Sequence, residues 1–362
     1  MSDPISQSGR PTVEDDRLER SLGPTERYAR QTLFGGIGHA GQERIAASHA
    51  LIVGCGALGS VLANNLTRAG VGHLRIADRD YVEGNNLQRQ VLYEEADVRR
   101  GMPKAIAAAE RLRQINSLVE VEPLATDVTA ENIEELLDSI DVVLDGTDNF
   151  ETRYLLNDAC LKAGIPWIYS GVIAAYGVTL TVLPRQTACL RCVFPERPLP
   201  GTTPTCDTAG VLNGIVGVIA GIASTEALKL MVGSDRLVRG MTWVDLWENT
   251  FDRIELPRQE DCPACGLGEY EYLDAPIDEG GTTLCGRNAV QVRPPRGTSA
   301  ALDLDALAGR LRAIGEVASN GFLLRLRVDG YDVTIFPDAR AIIKGTDDTA
   351  VARSVYAKYV GA

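Results

Sequence analysis

The chain has 362 residues, 36 basic and 49 acidic side chains, a formal net charge of -13 and 45% hydrophobic residues. That length allows two or three domains with sizeable cores, and the acidic balance excludes the broad basic face of a bulk nucleic-acid binder. No run of about 18 apolar residues occurs, and Met1 to Thr25 lack the apolar core of a secretory signal, so a soluble, cytoplasmic protein without a membrane or nucleic-acid partner is expected.

Residues 1–24 mix Ser, Pro, Gly and charge without periodicity and are expected to form a disordered tail. From Ala50 short apolar runs alternate with amphipathic ones. They predict strands at Ala50–Val53, His73–Ala77, Val119–Pro123 and Val142–Leu144, and helices at Gly59–Ala69, Lys104–Ile115, Asn132–Asp138 and Glu151–Ala163. This alternation implies an α/β fold built on a doubly wound, Rossmann-like, mostly parallel sheet. Ligands of such sheets sit at the carboxyl ends of the strands. Trp167–Ser170 and Val178–Leu183 read as further strands, and Gly210–Met231 as a long helix rich in small residues, too polar at its end to span a membrane.

The charge changes sign along the chain. Thr282–Ala362 carries eleven basic and eight acidic residues, whereas the first 281 residues carry 25 and 41. A boundary is therefore expected near Gly280-Gly281, dividing the chain into a 1–24 tail, a 25–281 main domain and a 282–362 module. In the module the pattern predicts a strand at Ala289–Val292 and a helix at Leu304–Ile314. Strands at Phe322–Val328, Tyr331–Phe336 and Ala341–Lys344 and a helix at Thr349–Tyr359 follow, making a small α+β unit.

Val53-Gly54-Cys55-Gly56-Ala57-Leu58-Gly59 follows a strand and opens a helix, the context in which glycines let the backbone approach a phosphate. Asp78 ends the next strand, about 20 residues on, where a carboxylate can hold ribose hydroxyls. This pair suits NAD as well as ATP. Asn85-Asn86-Leu87-Gln88-Arg89-Gln90 and Lys104 favour a triphosphate, for which converging cations have a use. In Asp145-Gly146-Thr147-Asp148-Asn149, again at a strand's carboxyl end, Asp148 can take a magnesium ion, cap the next helix, or do both.

Four of the eight cysteines form two Cys-x-x-Cys pairs, Cys189/Cys192 and Cys262/Cys265. Two such pairs can close a four-thiolate structural zinc site, here pinning the strand-rich segment after Asn149. Cys206 stands alone in a Gly/Pro/Thr loop before a helix, where it could be reactive. Cys55 and Cys160 read as buried and inert, and Cys285 has no assigned role.

Several motifs occur together in fixed order: Arg27-Tyr28-Ala29-Arg30-Gln31, Gly41-Gln42, the glycine loop, Asn86-Leu87-Gln88-Arg89-Gln90, Lys104, Thr147-Asp148-Asn149, Gly210-Val211-Leu212 and the two cysteine pairs. In this the chain, from about Arg27 to Gly266, resembles the ThiF/MoeB/HesA family, bacterial relatives of ubiquitin-activating enzymes. The resemblance implies ATP-dependent adenylation of the C-terminal glycine of a small ubiquitin-like sulfur-carrier protein of the ThiS or MoaD kind. The activity so implied would serve thiamine, molybdopterin or related sulfur metabolism. The resemblance gives Asp78 the ribose, Asn86 and Arg89 the phosphates, Lys104 the phosphates and developing charge, and Asp148 the Mg2+. Gly54, Gly56, Ala57, Asn85, Leu87, Gln88 and Asn149 complete the expected ATP site, and Zn2+ belongs on the four paired cysteines. Arg30 would reach the ATP of the opposite subunit, which implies a homodimer, and Cys206 would receive the activated carrier as a thioester or acyl-disulfide.

The chain departs from the family in Gly56-Ala57, where two glycines are usual. It also lacks the Cys-x5-Arg loop of a rhodanese domain, so a sulfur donor, desulfurase or rhodanese, is expected in trans. The positive surplus of the C-terminal module suggests a face for an acidic carrier. Rival readings are an NAD-dependent oxidoreductase using the same loop and a non-catalytic binder of a ubiquitin-like protein.

Overall fold

The computed structural model describes residues 21–198, 206–274, 282–284, 288–294 and 302–361; for residues 206, 207 and 282–284 the description covers the backbone. Residues 1–20 of the expected tail, the Gly280-Gly281 boundary and Cys285 lie outside the described residues. Helical turns at Pro24–Arg27 and Ala29–Thr32 lead into α1 (Gly38–Ala47). Next come β1 (His49–Val53), α2 (Ala57–Ala69), β2 (His73–Ala77), α3 (Glu95–Arg100), α4 (Lys104–Ile115), β3 (Glu120–Leu124), β4 (Val142–Asp145) and α5 (Phe150–Ala163). The hairpin β5 (Trp167–Ile173) and β6 (Tyr176–Val182), α6 (Asn213–Met231), and the hairpin β7 (Met241–Asp245) and β8 (Thr250–Ile254) complete the first layer set.

These eight strands form one sheet in the order β3-β2-β1-β4-β5-β6-β7-β8. Pairing is parallel from β3 to β5 and antiparallel from β5 to β8. Strand β1 is central, which explains its unbroken apolar run. Ala50 and Ile52 point with Leu74, Ile76, Val142 and Leu144 towards Leu62 of α2, Leu112 of α4 and Ile219 of α6. Leu51 and Val53 point with Val143 towards Tyr154 and Leu155 of α5. A strand covered on both faces alternates between two cores rather than between core and water.

The N-terminal motif residues have structural duties. Gly70 ends α2 with φ +84, and a Cβ there would lie 2.4 Å from the Tyr28 hydroxyl. That hydroxyl accepts from Asn116 at 2.8 Å. Gln31 donates to Gln42 Oε1 at 2.7 Å, and both amides donate to the Ala69 carbonyl at 2.9 Å. The first turns are thereby fastened to the end of α2, whose last carbonyls would otherwise lack partners.

Two expected helices need correction. The helix over Gly210–Met231 begins at Asn213: Gly210, at φ +74, ends a short Cys206–Ala209 turn. The residues between bridge to the β5–β6 turn, Ala174 donating to the Gly210 carbonyl at 2.9 Å and accepting from Leu212 at 2.7 Å. The helix at Asn132–Asp138 shrinks to Ile133–Leu136, because Ser139 turns out at φ +60. Helix α1 and the β7–β8 hairpin carried no periodic signal strong enough to be anticipated. By length and composition α6 could cross a membrane, but Ile215, Val216, Ile219, Ala220 and Ala223 are buried in the core beside α2.

The C-terminal sheet comprises β9 (Thr282–Leu284), β10 (Ala289–Val292), β11 (Glu316–Ser319), β12 (Leu324–Val328), β13 (Tyr331–Ile335) and β14 (Ala341–Lys344). Its order is β11-β12-β13-β14-β10-β9, antiparallel throughout. Helices α7 (Leu304–Leu311) and α8 (Thr349–Tyr359), capped by Asp303 and Asp348, close a core of their own around Leu307, Leu326, Ile335, Ile343 and Val355.

Helix α5 braces the segment carrying the paired cysteines. Asn157 Oδ1 accepts from the Leu190 amide at 3.0 Å and Asp158 Oδ2 from the Tyr272 amide at 2.9 Å. Burial pushes the Asp158 carboxyl up to about 6. Its proton is therefore held more tightly in the folded state, and its contribution to stability falls as pH rises from about 4 through 6. Asp158→Asn is expected to melt higher than the parent protein at pH 7.5, by up to about 3 kcal/mol, with the advantage gone near pH 4. Thermal melts of both proteins across that range, showing a pH-independent difference, would refute this.

Candidate active site

Three glycines interlock where β1 and β4 end. Gly54 has φ +83, and a Cβ on Gly59 would lie 1.8 Å, or on Gly146 2.2 Å, from the Gly54 carbonyl oxygen. The Gly54 amide donates to Ala77 and the Gly146 amide to Val53, each at 2.8 Å. No side chain caps α2, so its first amides are available to an anion. Above them opens a cavity of about 450 Å³ at the carboxyl ends of the parallel strands, where the sheet order reverses.

Its polar wall is built on buried charge. Asp78 accepts from the Cys55 amide at 2.6 Å and from the Asp80 amide at 2.7 Å. Burial raises its carboxyl and the Lys104 ammonium opposes the rise. Lys104, itself buried, lies 3.2 Å from Asp80. Beneath, burial and the Asp78 charge push the Cys55 thiol up to about 12, and burial likewise raises Cys160. Both behave as inert core thiols.

Beneath the lining stretch Gly146–Asn149, Asp145 is fully buried. It accepts from the Thr147 amide at 2.8 Å, the Thr147 hydroxyl at 2.7 Å and Arg153 Nε at 3.1 Å. Arg153 also donates to the carbonyls of Thr147 at 2.8 Å and Ser170 at 3.2 Å. The turn is thus rigid, and the exposed Asp148 projects from it. The helix cap falls on Asn149, which accepts from the Thr152 amide at 2.9 Å, and not on Asp148.

Of the expected site residues, Gly54, Gly56, Ala57, Asp78, Arg89, Lys104, Asp148 and Asn149 line the cavity. Ala57 also packs partly against the core, so its methyl serves both surfaces. Asn85, Asn86, Leu87 and Gln88 are not among the lining residues. Asn86 is buried and caps its own turn, accepting from the Glu83 amide and donating to Asn85 at 3.0 Å, while Leu87 packs on the core. Arg30 sits on an exposed turn and is not among the lining residues. The Cys206 side chain lies outside the described residues. Gln90, part of the quoted Asn85–Gln90 stretch, lines the cavity too, and sequence reasoning missed Arg79, Asp80, Asp127, Arg153, Tyr169 and Phe194, which also line it. Asp80 and Arg79 could have been suspected from their adjacency to Asp78, and Arg153 from its place one turn into α5 after the Asp145 strand end.

The paired cysteines meet. Their Sγ atoms are 3.9 Å (Cys189–Cys192), 3.7 Å (Cys189–Cys262) and 3.4 Å (Cys192–Cys265) apart, and all four lie within 4.8 Å of one another. Tetrahedral thiolates about 2.3 Å from a zinc ion stand about 3.8 Å apart. The donor set and spacing therefore fit a structural zinc. The pairs lie on the helical turn Leu190–Val193 and the turn Pro263–Leu267, which bracket β7 and β8 rather than sitting on strands.

The ThiF family profile matches residues 28–264. The chain belongs to the ThiF family. It is 46% identical over 342 residues to the sulfur carrier protein ThiS adenylyltransferase of Bacillus subtilis (strain 168), covering 93% of this chain and 100% of that protein. It is 40% identical over 250 residues to the SAMP-activating enzyme E1 of Haloferax volcanii, covering 69% and 92%. The crystal structure of E. coli MccB + ATP matches with a TM-score of 0.59 at 20% identity, covering 72% of this chain and 83% of that one, which establishes a shared fold.

For this ThiF-family chain the glycine crossing yields a direct test. Gly59→Ala forces a methyl against backbone and is expected to abolish nucleotide binding and lower the melting temperature, whereas a Cβ on Gly56 meets nothing nearer than Gln90 Nε2 at 3.8 Å and Gly56→Ala is expected to fold normally. Equal melting temperatures for the two variants would contradict the interlock.

Proposed function

We propose that this chain adenylates the C-terminal glycine carboxylate of a small ubiquitin-like sulfur-carrier protein of the ThiS or MoaD kind, using ATP and releasing pyrophosphate. The observation that carries the reading is the end-to-end match to a ThiS adenylyltransferase, joined to a cavity that gathers Asp78, Arg89, Lys104 and Asp148. The carrier carboxylate attacks the α-phosphorus, the bond to pyrophosphate breaks, and no protein base is needed because the nucleophile is already an anion. Arg89 and Lys104 neutralise charge on the phosphates, and Asp78 holds the ribose. Asp148 would hold the Mg2+ that accompanies ATP, an ion that spreads phosphate charge. The four paired cysteines would hold Zn2+.

The same reading extends to the assembly. Arg30 serves the site of a second copy in a homodimer, and the neighbouring Leu33 and Phe34, 79% and 67% exposed, offer apolar surface to cover. Cys206 takes over the acyl group with release of AMP, as a thioester from its thiol or, once a separate donor has placed sulfane sulfur on it as a persulfide, as an acyl-disulfide. Residues 25–281 act as the catalytic domain, in the cytoplasm.

Carrier-dependent exchange of labelled pyrophosphate into ATP tests the chemistry. Lys104→Ala and Asp148→Ala are expected to lower exchange by about 10²-fold or more, while Cys206→Ser retains it. Exchange that is absent with every ThiS- or MoaD-type carrier would reject the proposal. For the metal, one zinc per chain is expected by elemental analysis, and Cys192→Ser should lose it together with several degrees of melting temperature, by roughly the 2 kcal/mol or more that losing a structural metal costs. A purified chain that is fully stable and metal-free would exclude the zinc.

A further inference from the structure

The C-terminal sheet is fastened to the loop that follows β2, the loop that carries Asp78. Arg340, 2% exposed, donates to the Arg79 carbonyl at 2.9 Å. Lys344 pairs with Glu83, and the Arg325 guanidinium lies 4.5 Å from the Tyr81 ring centroid. Asn320 donates to the carbonyls of Arg100 at 2.6 Å and Gly101 at 3.0 Å. Tyr81 is buried with Ala289, Leu323, Phe336 and Ile342 in a small apolar cluster that spans the contact.

Asp127 is where this contact reaches the cavity. With Arg79 it lines the wall, and its Oδ1 lies 3.3 Å from Arg79 Nη1. Its Oδ2 accepts from Gln291 Nε2 at 2.6 Å and Arg293 Nη2 at 2.5 Å. One carboxylate is thus shared between a guanidinium of the cavity and two donors from the other sheet, over 160 positions later in sequence. A carboxylate in the wall of a cavity that takes a polyphosphate repels its ligand unless it is neutralised. If Arg79 alone neutralised Asp127, its guanidinium would be spent on that task.

We propose that Gln291 and Arg293 are positioning residues for nucleotide binding: both hold Asp127 and Arg293 neutralises it, so that Arg79, although 3.3 Å from the same carboxylate, keeps charge to offer the bound nucleotide and the C-terminal module sets ATP affinity. This rests on the ATP reading of the cavity. It also gives the module's surplus positive charge an internal use, since Arg293, Arg325, Arg340 and Lys344 all engage the loop or Asp127.

The test is MgATP binding to the full chain by calorimetry, with carrier-dependent exchange as the second readout. Arg293→Gln is expected to weaken MgATP binding by about tenfold and raise the KM for ATP in step, with the carrier KM and kcat changed by less than about twofold. Adding Asp127→Asn to that variant should recover affinity to within about threefold, because the uncompensated charge is then gone. Arg293→Lys, which keeps the charge, should bind about as well as the parent. Lys358→Ala, which breaks an exposed pair with Asp329 within the same module, serves as the control for general destabilisation and should leave affinity unchanged. Parent protein that binds MgATP while Arg293→Gln binds equally well, or a double variant that recovers nothing, overturns the inference alone. Parent protein that binds no MgATP overturns the inference and the adenylation reading together.

Discussion

The site depends on the crossing of two backbone turns at the ends of β1 and β4. Gly54, Gly59 and Gly146 approach so closely that a single methyl on either of the last two would collide with the Gly54 carbonyl. The closeness lets the first turn of α2 and the Thr147–Asp148 turn face one another across a single cavity. Preorganised amides and charges are the main resource of a reaction that needs neither a nucleophile nor a base from the protein.

Around that crossing the acidic chain uses buried carboxylates as brackets. Asp78 holds the glycine turn through the Cys55 amide, Asp145 holds the turn bearing Asp148, Asp158 holds the segment after the second cysteine pair, and Asp127 joins the two sheets. Burial raises Asp78, Asp145 and Asp158. At Asp127 the burial effect is outweighed by Arg79, Arg293 and Arg340, and the carboxyl is lowered. Such groups cost desolvation and are tolerated where their donors are fixed, so each marks a place where geometry matters more than packing. The net charge of -13 excluded a basic face, yet a single nucleotide needs few cations, and Arg79, Arg89 and Lys104 line the cavity.

Much of this was legible in the chain. The central strands could be read because residues buried on both faces form unbroken apolar runs. The glycine loop, Asp78 and Asp148 could be read because each follows a strand end, and Lys104 because it opens a helix shortly after a polar loop. The second half of the large sheet was harder: β8 is exposed along its length, so no buried face stamped a period on its sequence. The break at Gly210 was hidden because the small residues on either side suit one continuous helix, and only the pairing of its neighbours with Ala174 ends it.

The sequence by itself determined the family, the order of the strands along the chain and the four cysteines suited to one metal, because these are carried by local periodicity and by motifs in fixed order. Tertiary structure alone decided which motif residues face the cavity. Asn86 turned out to cap its own turn, whereas Arg79 and Asp127, which belong to no motif, line the wall. It also decided that the C-terminal sheet reaches the cavity wall through Gln291 and Arg293 on Asp127, and the loop after β2 through Arg340 on the Arg79 carbonyl. Contacts between residues more than 160 positions apart leave no periodic trace, since they arise from how two finished sheets pack.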